Sequence, residues 1–452
     1  MLAFPAKLAF VVAVVFALVF APGTASVAQA PAATPTPSET LFQNVRVFDG
    51  RSATLSAPTS VLVRGNKIVA IGAAAKSETA TVIDGKGRTL MPGLIDAHTH
   101  LMFASLSQLA LMTSDIGFVN LAAGKAATEM LLRGYTSVRD LGGPIFGLKK
   151  AIDAGLLPGP RIWPSGAMIS QTGGHGDFRL PFDLPATPGS FSYTDRIGAT
   201  AIADDPGTVR LRAREQLALG ASQIKMMAGG GVSSSYDPID VTQYTVEELR
   251  AGVEAAENWG TYVTVHAYTP RAVRQSIEAG VKCIDHGQLL DEATVKLMAE
   301  KGIWWSLQPF TDDGTSPFPE GSPNRIKQLT MFAGTNTAYG LAKKYKTKTA
   351  WGTDILFSAT KLAAQTKQLT KMVEWYTPPE ILKMATADNA DLLALSGERS
   401  PYAGKLGVVE AGALADLLLV DGNPLENINV LENADQNIVV IMKDGKIYKN
   451  VK

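Results

Sequence analysis

Two histidines, His98 and His100, stand two residues apart at the end of an apolar stretch that begins at Pro92. A β-strand sends residues i and i+2 to the same face, so both imidazoles can reach one ion. Imidazole nitrogen is a common ligand of Zn²⁺ and related ions. The apolar residues before the histidines are typical of a strand buried on both faces, as in a parallel sheet. The pair therefore predicts a metal site at the C-terminal end of a parallel strand, where barrels and open sheets place their chemistry.

The remaining histidines follow the same pattern. The chain has only five histidines, and each lies at or just beyond the C-terminal end of a predicted strand. The other three are His175, His266 and His286. A shared metal centre explains four histidines on three strands of one barrel face better than unrelated core histidines do. His175 lies on a glycine-rich loop without a ligand partner nearby in sequence, and we assign it to substrate polarisation.

Other predicted strands carry residues suited to the same chemistry. Asp354 closes the eighth strand, where a carboxylate could bind a metal and accept a proton from its water. Lys225 lies inside an apolar strand, so it must be neutral, ion-paired or chemically modified, unless it extends to solvent from the strand edge. Tyr236, in the following loop, could hydrogen-bond the scissile carbonyl or the substrate carboxylate, or could simply pack.

The composition limits the classes of function. The 452-residue chain has 42 basic and 42 acidic residues, so no global field favours nucleic acid or an anionic membrane. Cys283 is the only cysteine, which excludes an intramolecular disulfide and a four-thiolate zinc site. Its apolar strand indicates a core residue rather than a nucleophile. Any metal must therefore use nitrogen and oxygen ligands.

The first thirty residues are typical of a secretory signal peptide. One lysine precedes an apolar run, and small residues follow, with candidate cleavage sites after Ala28 and Ala30. The alternative is an uncleaved membrane anchor, for which the run is short. Residues 31–40 predict a Pro/Thr/Ser linker. We therefore expect a secreted or periplasmic protein that has no membrane span after signal removal.

The rest of the chain divides into segments with different predicted secondary structure. Short strands and turns fill residues 41–91 and 401–452, and we expect both segments to pair into one composite β-sandwich, because neither buries a good core alone. Residues 92–400 alternate strand and helix in eight units. Eight units in series favour a closed (β/α)8 TIM barrel over an open sheet, since no dinucleotide-binding glycine fingerprint follows the first strand. The predicted class is therefore α/β, a (β/α)8 TIM barrel over residues 92–400 with a small β-sandwich.

The segment Pro-Gly-Leu-Ile-Asp-Ala-His-Thr-His and the order of the later strand-end residues resemble the amidohydrolase superfamily over nearly the whole mature chain. The resemblance implies that carbon dioxide carbamylates the lysine of the fourth strand. The carbamate then bridges two divalent ions, with zinc as the expected metal. Carried over by position, one ion is held by His98, His100 and Asp354, the other by His266 and His286, and both by carbamylated Lys225.

Two glycine-rich loops, at residues 172–176 and 229–231, resemble the prolidase-like branch of that superfamily. This branch is related to imidazolonepropionase and includes enzymes that hydrolyse ochratoxin A. It implies a hydrolase that cleaves the amide before a C-terminal amino acid, in an Xaa-Pro or other dipeptide or an N-acyl amino acid. Metal-bound hydroxide would attack, Asp354 would carry the proton, and Phe178, Phe310 and Phe357 could line the substrate site. The resemblance also implies a homo-oligomer.

Two alternatives stay open. A cyclic amide hydrolase of the imidazolone or hydantoin type would use the same centre and give a ring-opened product. A non-catalytic secreted protein that binds metal or ligand in the barrel mouth would have no need of Asp354 as a proton carrier or of a bridging Lys225.

Overall fold

Strands from both ends of the chain pair into one mixed sheet in the computed structural model, which describes residues 37–184 and 190–451. The described residues form eighteen β-strands: β1 Glu39–Val47, β2 Thr59–Arg64, β3 Lys67–Ile71, β4 Thr81–Asp84, β5 Thr89–Pro92, β6 Leu94–Thr99, β7 Tyr135–Asp140, β8 Arg161–Pro164, β9 Met168–Ser170, β10 Thr200–Ile202, β11 Ile224–Met227, β12 Val263–Ala267, β13 Cys283–His286, β14 Trp304–Leu307, β15 Lys348–Trp351, β16 Leu417–Val420, β17 Ile438–Lys443 and β18 Lys446–Asn450.

The α-helices in the same ranges are α1 Gln108–Thr113, α2 Ile116–Leu132, α3 Phe146–Asp153, α4 Tyr193–Arg196, α5 Pro206–Ala218, α6 Val246–Glu257, α7 Pro270–Ala279, α8 Glu292–Lys301, α9 Pro323–Tyr345, α10 Ala359–Ala363, α11 Gln365–Thr370, α12 Pro378–Lys383, α13 Asn389–Leu393 and α14 Ala434–Asn437. A π-helical turn, Met384–Asp388, joins α12 to α13. α6 begins at a reciprocal capping box formed by Thr245 and Glu248.

The sheet built from the chain ends has the strand order β18-β17-β16-β5-β1-β2-β3, with β4 paired to β1. β1 joins its two halves, and its register shifts between Phe42 and Val45, where Asn44 has a φ of 51°. Such a bulge bends a strand, which lets β1 pair with different partners along its length. The strand pairing therefore unites both ends of the chain, but it does not by itself show two packed sheets. The predicted signal peptide and residues 31–36 of the predicted linker lie outside the described residues, and β1 already begins at Glu39.

Two parallel sheets lie between these end segments, with the orders β6-β7-β8 and β10-β9-β11-β12-β13-β14-β15. The segment 161–170 contains two strands, β8 and β9, because Gly166 interrupts it at a φ of 74°. β8 pairs with β7 and β9 pairs with β11, so this one segment belongs to both sheets.

The outer strands β6 and β15 of the two sheets are joined by hydrogen bonds outside the ladders. The Asn389 amide donates to the carbonyls of Ile95 (2.7 Å) and Trp351 (2.8 Å). The Asp354 N–H donates to the His98 carbonyl at 2.8 Å. The structure is thus α/β with mixed sheets, and the ladders of the described residues do not form a closed ring.

Burial explains why the sequences of the strands in the two parallel sheets are mostly apolar. Every residue of β6, β7, β11, β12, β13 and β14 is buried. Parallel strands covered by helices are inaccessible on both faces, so a charged residue inside one needs a partner within the protein.

None of the helices within residues 37–184 and 190–451 is both long and apolar enough to traverse a lipid bilayer.

Candidate active site

Three of the predicted ligands meet where β6 and β15 end. The Asp354 Oδ1 atom lies 3.4 Å from His98 Nε2 and 3.2 Å from His100 Nε2. Each of the three residues offers a ligand atom within 4.8 Å of the others. Asp354 adopts a left-handed φ of 51° just beyond β15, which turns it toward the histidines while its N–H bonds His98.

The chemistry of these groups fits a metal ion. His98 Nε2 is buried and makes no hydrogen bond with a described residue, a costly state that coordination to an ion would relieve. Burial lowers the pKa of His98 to about 4, so the imidazole is neutral at pH 7, as a ligand must be. Burial works against ionisation of Asp354, but His98 and His100 outweigh it and lower the pKa of this carboxyl below its usual value. A carboxylate and two imidazoles are a suitable donor set for Zn²⁺.

The other two predicted histidine ligands adjoin this group. The ring centroid of His286 lies 4.9 Å from that of His98 and 4.5 Å from that of His266. Gln308 ties the cluster together, with Oε1 2.8 Å from His286 Nδ1 and Nε2 3.3 Å from His98 Nδ1. Such contacts fix the tautomer and orientation of a metal-binding imidazole. Among the described residues, the groups gathered within 4.8 Å are only those of His98, His100 and Asp354.

Lys225 is ion-paired, one of the states that its buried strand requires. Its Nζ donates to Asp285 Oδ2 at 2.6 Å, and Arg139 Nη2 donates to Asp285 Oδ1 at 2.7 Å. Thr264 Oγ1 donates to the same Oδ2 atom at 2.8 Å. Burial lowers the pKa of Lys225, and Asp285 opposes that shift. Sequence reasoning missed Arg139 and Asp285, although a charged residue inside an apolar strand was the signal that identified Lys225.

His175 and Tyr236, the two residues predicted to act on the substrate, differ in position. The His175 ring stacks on His266 with centroids 4.0 Å apart, and its Nδ1 lies 2.7 Å from Ser234 Oγ. The Tyr236 hydroxyl donates to the Arg179 carbonyl at 2.6 Å, and Tyr236 is not among the described residues that line the cavity.

Tyr268 lies on the cavity wall, and sequence reasoning missed it. Its ring centroid is 4.9 Å from that of His266 and 5.2 Å from that of His286. Burial raises the pKa of Tyr268 well above its usual value, so the phenol is protonated and can donate a hydrogen bond. Tyr268 follows His266 by two residues, so the i and i+2 rule that paired His98 with His100 could have found it.

All six predicted metal ligands lie at the wall of one cavity of about 490 Å³. This volume is within the range of small-molecule sites. The predicted Phe178, Phe310 and Phe357 line it, and most of the remaining wall is apolar. The phenylalanines of the wall are Phe103, Phe178, Phe310, Phe318, Phe332 and Phe357. The cavity therefore combines a metal-binding group with a large apolar compartment.

Comparisons with known proteins agree with this chemistry. The amidohydrolase family profile matches residues 89–448. Ochratoxinase from Aspergillus niger is 34% identical over 380 residues, which are 80% of this chain and 75% of that protein. A prolidase solved with N-methylphosphonate-L-proline is 35% identical, with a TM-score of 0.83 over 92% of this chain and 100% of that one. A Xaa-Pro dipeptidase solved with bound methionine in the active site is 30% identical, with a TM-score of 0.79 over 91% and 100%.

Proposed function

We propose that this member of the amidohydrolase family releases a C-terminal amino acid from its substrate. The chain belongs to that family, whose members are metal-dependent, and it acts on amide or peptide bonds. The substrates are Xaa-Pro or other dipeptides and N-acyl amino acids, including ochratoxin A. The relatives are named for ochratoxin and for prolidase or Xaa-Pro dipeptidase activity, and both activities break an amide that precedes an amino acid. The observation that carries the proposal is the meeting of His98, His100 and Asp354 at the wall of a largely apolar cavity.

The proposed centre holds two divalent ions, with zinc as the expected metal. When bound, these ions would polarise the amide carbonyl and make a hydroxide nucleophile available near neutral pH. One ion would take His98, His100 and Asp354, the other His266 and His286, and carbamylated Lys225 would bridge them. The contacts among the four rings and the buried position of Lys225 support this set.

The residues around the centre take distinct roles in the proposal. Asp354 is ionised at neutral pH, and it accepts a proton and passes it to the leaving nitrogen. Tyr268 donates its phenolic hydrogen to the scissile carbonyl oxygen, where negative charge develops. Ser234 engages Nδ1 of His175, which leaves Nε2 for a polar group of the substrate.

The proposal extends to architecture and location. We propose that the eight predicted strands close into a (β/α)8 barrel over residues 92–400, supported by the bonds that join β6 to β15. Residues 41–91 and 401–452 form the β-sandwich, since Phe42, Leu90 and Leu417 belong to one apolar core. Residues 1–30 direct export, and residues 31–40 link the signal to the enzyme. Assembly into a homo-oligomer stays part of the proposal.

Metal content and product analysis test the proposal together. We expect two zinc ions per chain and chelator-sensitive release of a free amino acid from an N-acyl amino acid panel. A ring-opened product from a hydantoin or imidazolone would instead identify a cyclic amide hydrolase.

Replacing Asp354 by Asn tests the proton carrier. We expect kcat to fall by about 10²-fold or more, because a positioned acid–base group contributes that much. Asp391→Asn, at a surface ion pair whose carboxylate side chain is 49% exposed, is the matched control and should leave kcat unchanged. Metal content is measured for both variants. Unchanged turnover in Asp354→Asn with its metal retained would contradict the catalytic assignment and favour the binding protein.

A further inference from the structure

One cation on the cavity wall makes no direct contact with a polar group of the described residues. Lys361, in α10, lines the cavity and is partly buried, and its Nζ makes no hydrogen bond or ion pair with any described residue. Lys225 also lines the cavity, but it is paired with Asp285. No arginine is among the described lining residues. Lys361 is therefore the one described cation of the wall that is free to receive a ligand.

The segment that carries Lys361 is anchored beside the candidate metal group. The N–H of Phe357 donates to the Phe103 carbonyl at 2.9 Å, and the N–H of Ser358 donates to the Ala104 carbonyl at 3.0 Å. The Ser358 hydroxyl then caps α10 by accepting from the N–H of Lys361 itself. These bonds tie the chain between Asp354 and Lys361 to the loop after β6, so the lysine backbone has a defined position relative to the site.

A carboxylate of the same wall, Asp313, feels the charge of Lys361, which helps to lower the pKa of Asp313. The two side chains form no salt bridge or hydrogen bond, however. Asp313 Oδ1 accepts from the N–H of Thr315 at 2.9 Å and from its hydroxyl at 2.6 Å. The carboxylate is thus engaged by its own turn. An ammonium in a largely apolar cavity without a direct partner attracts an anion from the ligand.

We propose that Lys361 binds a carboxylate of the substrate, and that the preferred substrates are N-acyl amino acids with a bulky aromatic acyl group and a free acid. The inference rests on the proposed function and narrows its substrate class. The six phenylalanines of the wall supply surface for the aromatic group, and Lys361 selects for the charge. The acid is that of the released amino acid or one on the acyl part, and both present the same chemistry to the lysine.

Three substrates and three variants test this assignment with the full metal-loaded enzyme. The substrates are N-benzoyl-L-phenylalanine, its neutral carboxamide, and the same carboxamide with a carboxylate on the benzoyl ring. Lys361→Met removes the charge, and Lys361→Arg retains it. Lys367→Met is the matched control, since Lys367 is exposed on α11 and is not among the lining residues.

Lys361→Met should raise KM about tenfold for the substrate whose acid Lys361 reads, with kcat changed less than about twofold. KM for the neutral carboxamide should stay the same, and Lys361→Arg should recover most of the loss. The charged substrate whose KM rises shows whether Lys361 binds the carboxylate of the amino acid or that of the acyl group. An equal change in KM for charged and neutral substrates, or none for either, would overturn the assignment.

A binding measurement separates this inference from the proposed function. N-Benzyl-L-phenylalanine and N-(carboxybenzyl)-L-phenylalaninamide carry the acid on the amino-acid part and on the aromatic part, respectively. Neither has an amide bond at the scissile position, so calorimetry can measure their affinities without turnover. For the ligand whose acid Lys361 binds, we expect affinity about tenfold weaker in Lys361→Met than in the wild type and the Lys367→Met control. If the wild type hydrolyses no substrate, the proposed function fails, and the calorimetric comparison still decides the role of Lys361. Equal affinity in all variants would refute it.

Discussion

Replacing Arg139 by Met perturbs the buried ion pair beneath the candidate site without touching a proposed ligand. The Arg139 guanidinium is fully buried on β7. It donates to Asp285 Oδ1 at 2.7 Å, to the Ala97 carbonyl at 2.6 Å and to the Tyr262 hydroxyl at 3.3 Å. Methionine approximates the aliphatic part of the side chain but offers no donor, so the variant leaves these acceptors without their partner.

The size of the effect follows from burial. Removing one partner of a buried ion pair costs about 3–5 kcal/mol, because the remaining charge stays desolvated. Asp285 keeps its bonds from Lys225 and Thr264, which favours the lower end, whereas the unpaired Ala97 carbonyl adds about 1–3 kcal/mol. We therefore expect the free energy of unfolding to fall by about 4 kcal/mol.

Urea unfolding of chelator-treated protein measures this loss, since ion binding would otherwise add its own stabilisation. Arg210→Met is the control, because Arg210 and Glu254 form an ion pair at 3.3 Å with side chains 36% and 52% exposed. Breaking it should cost less than about 1 kcal/mol. A double-mutant cycle with Asp285→Asn isolates the coupling between the two buried residues. A loss for Arg139→Met no greater than that of the control would refute the reasoning.

Three further variants test local features of the site and scaffold. Burial lowers the pKa of His175 to about 4 from its usual 6.5, so only the unfolded chain gains this proton as pH falls through that window. The free energy of unfolding should therefore drop by about 3 kcal/mol between pH 7 and pH 4, and it should fall less steeply with pH in His175→Gln than in the wild type. Equal slopes for the two proteins would contradict this. Gly231→Ala would place a Cβ 1.9 Å from His175 Nδ1, and we expect a loss of about 1–3 kcal/mol in urea unfolding and reduced activity. Gly340→Ala, in α9 with no heavy atom within 4 Å of the new Cβ, should stabilise by about 0.5–1 kcal/mol in the same assay, and a loss would count against an open helix surface there.

The strand ends that carry the site could be predicted because their signals are local. His266 and His286 were expected at the ends of strands, and the structure places them in the strands Val263–Ala267 and Cys283–His286. The break at Gly166 could not be predicted in the same way. It depends on packing, since a Cβ there would lie 2.4 Å from Gln216 Oε1, fifty residues further along the chain.

Side-chain partners across the fold were harder to predict than positions along it. Arg139 and Asp285 are 146 residues apart, and only the registers of β7, β11 and β13 bring their atoms together. Tyr268 illustrates a different failure, because it follows the end of β12 directly and lies two residues after His266. The alternation of a strand extends to the residue next to its end, so it could have identified Tyr268, whereas Tyr236 lies far into a loop, where no periodicity orients a side chain.

The charge balance of the buried network explains why Arg139 and Lys225 have different roles. In the paired state two cations, Arg139 and Lys225, share the single carboxylate of Asp285. This arrangement suits a metal-free site but repels divalent ions, because like charges in a low dielectric interact strongly. Carbamylation would make Lys225 an anion and release one oxygen of Asp285, while the bond from Arg139 would still hold the carboxylate in place. If Lys225 is carbamylated as proposed, the contact with Arg139 would be kept in both states and that with Lys225 in only one. Perturbing Arg139 would then measure the scaffold separately from the proposed metal chemistry.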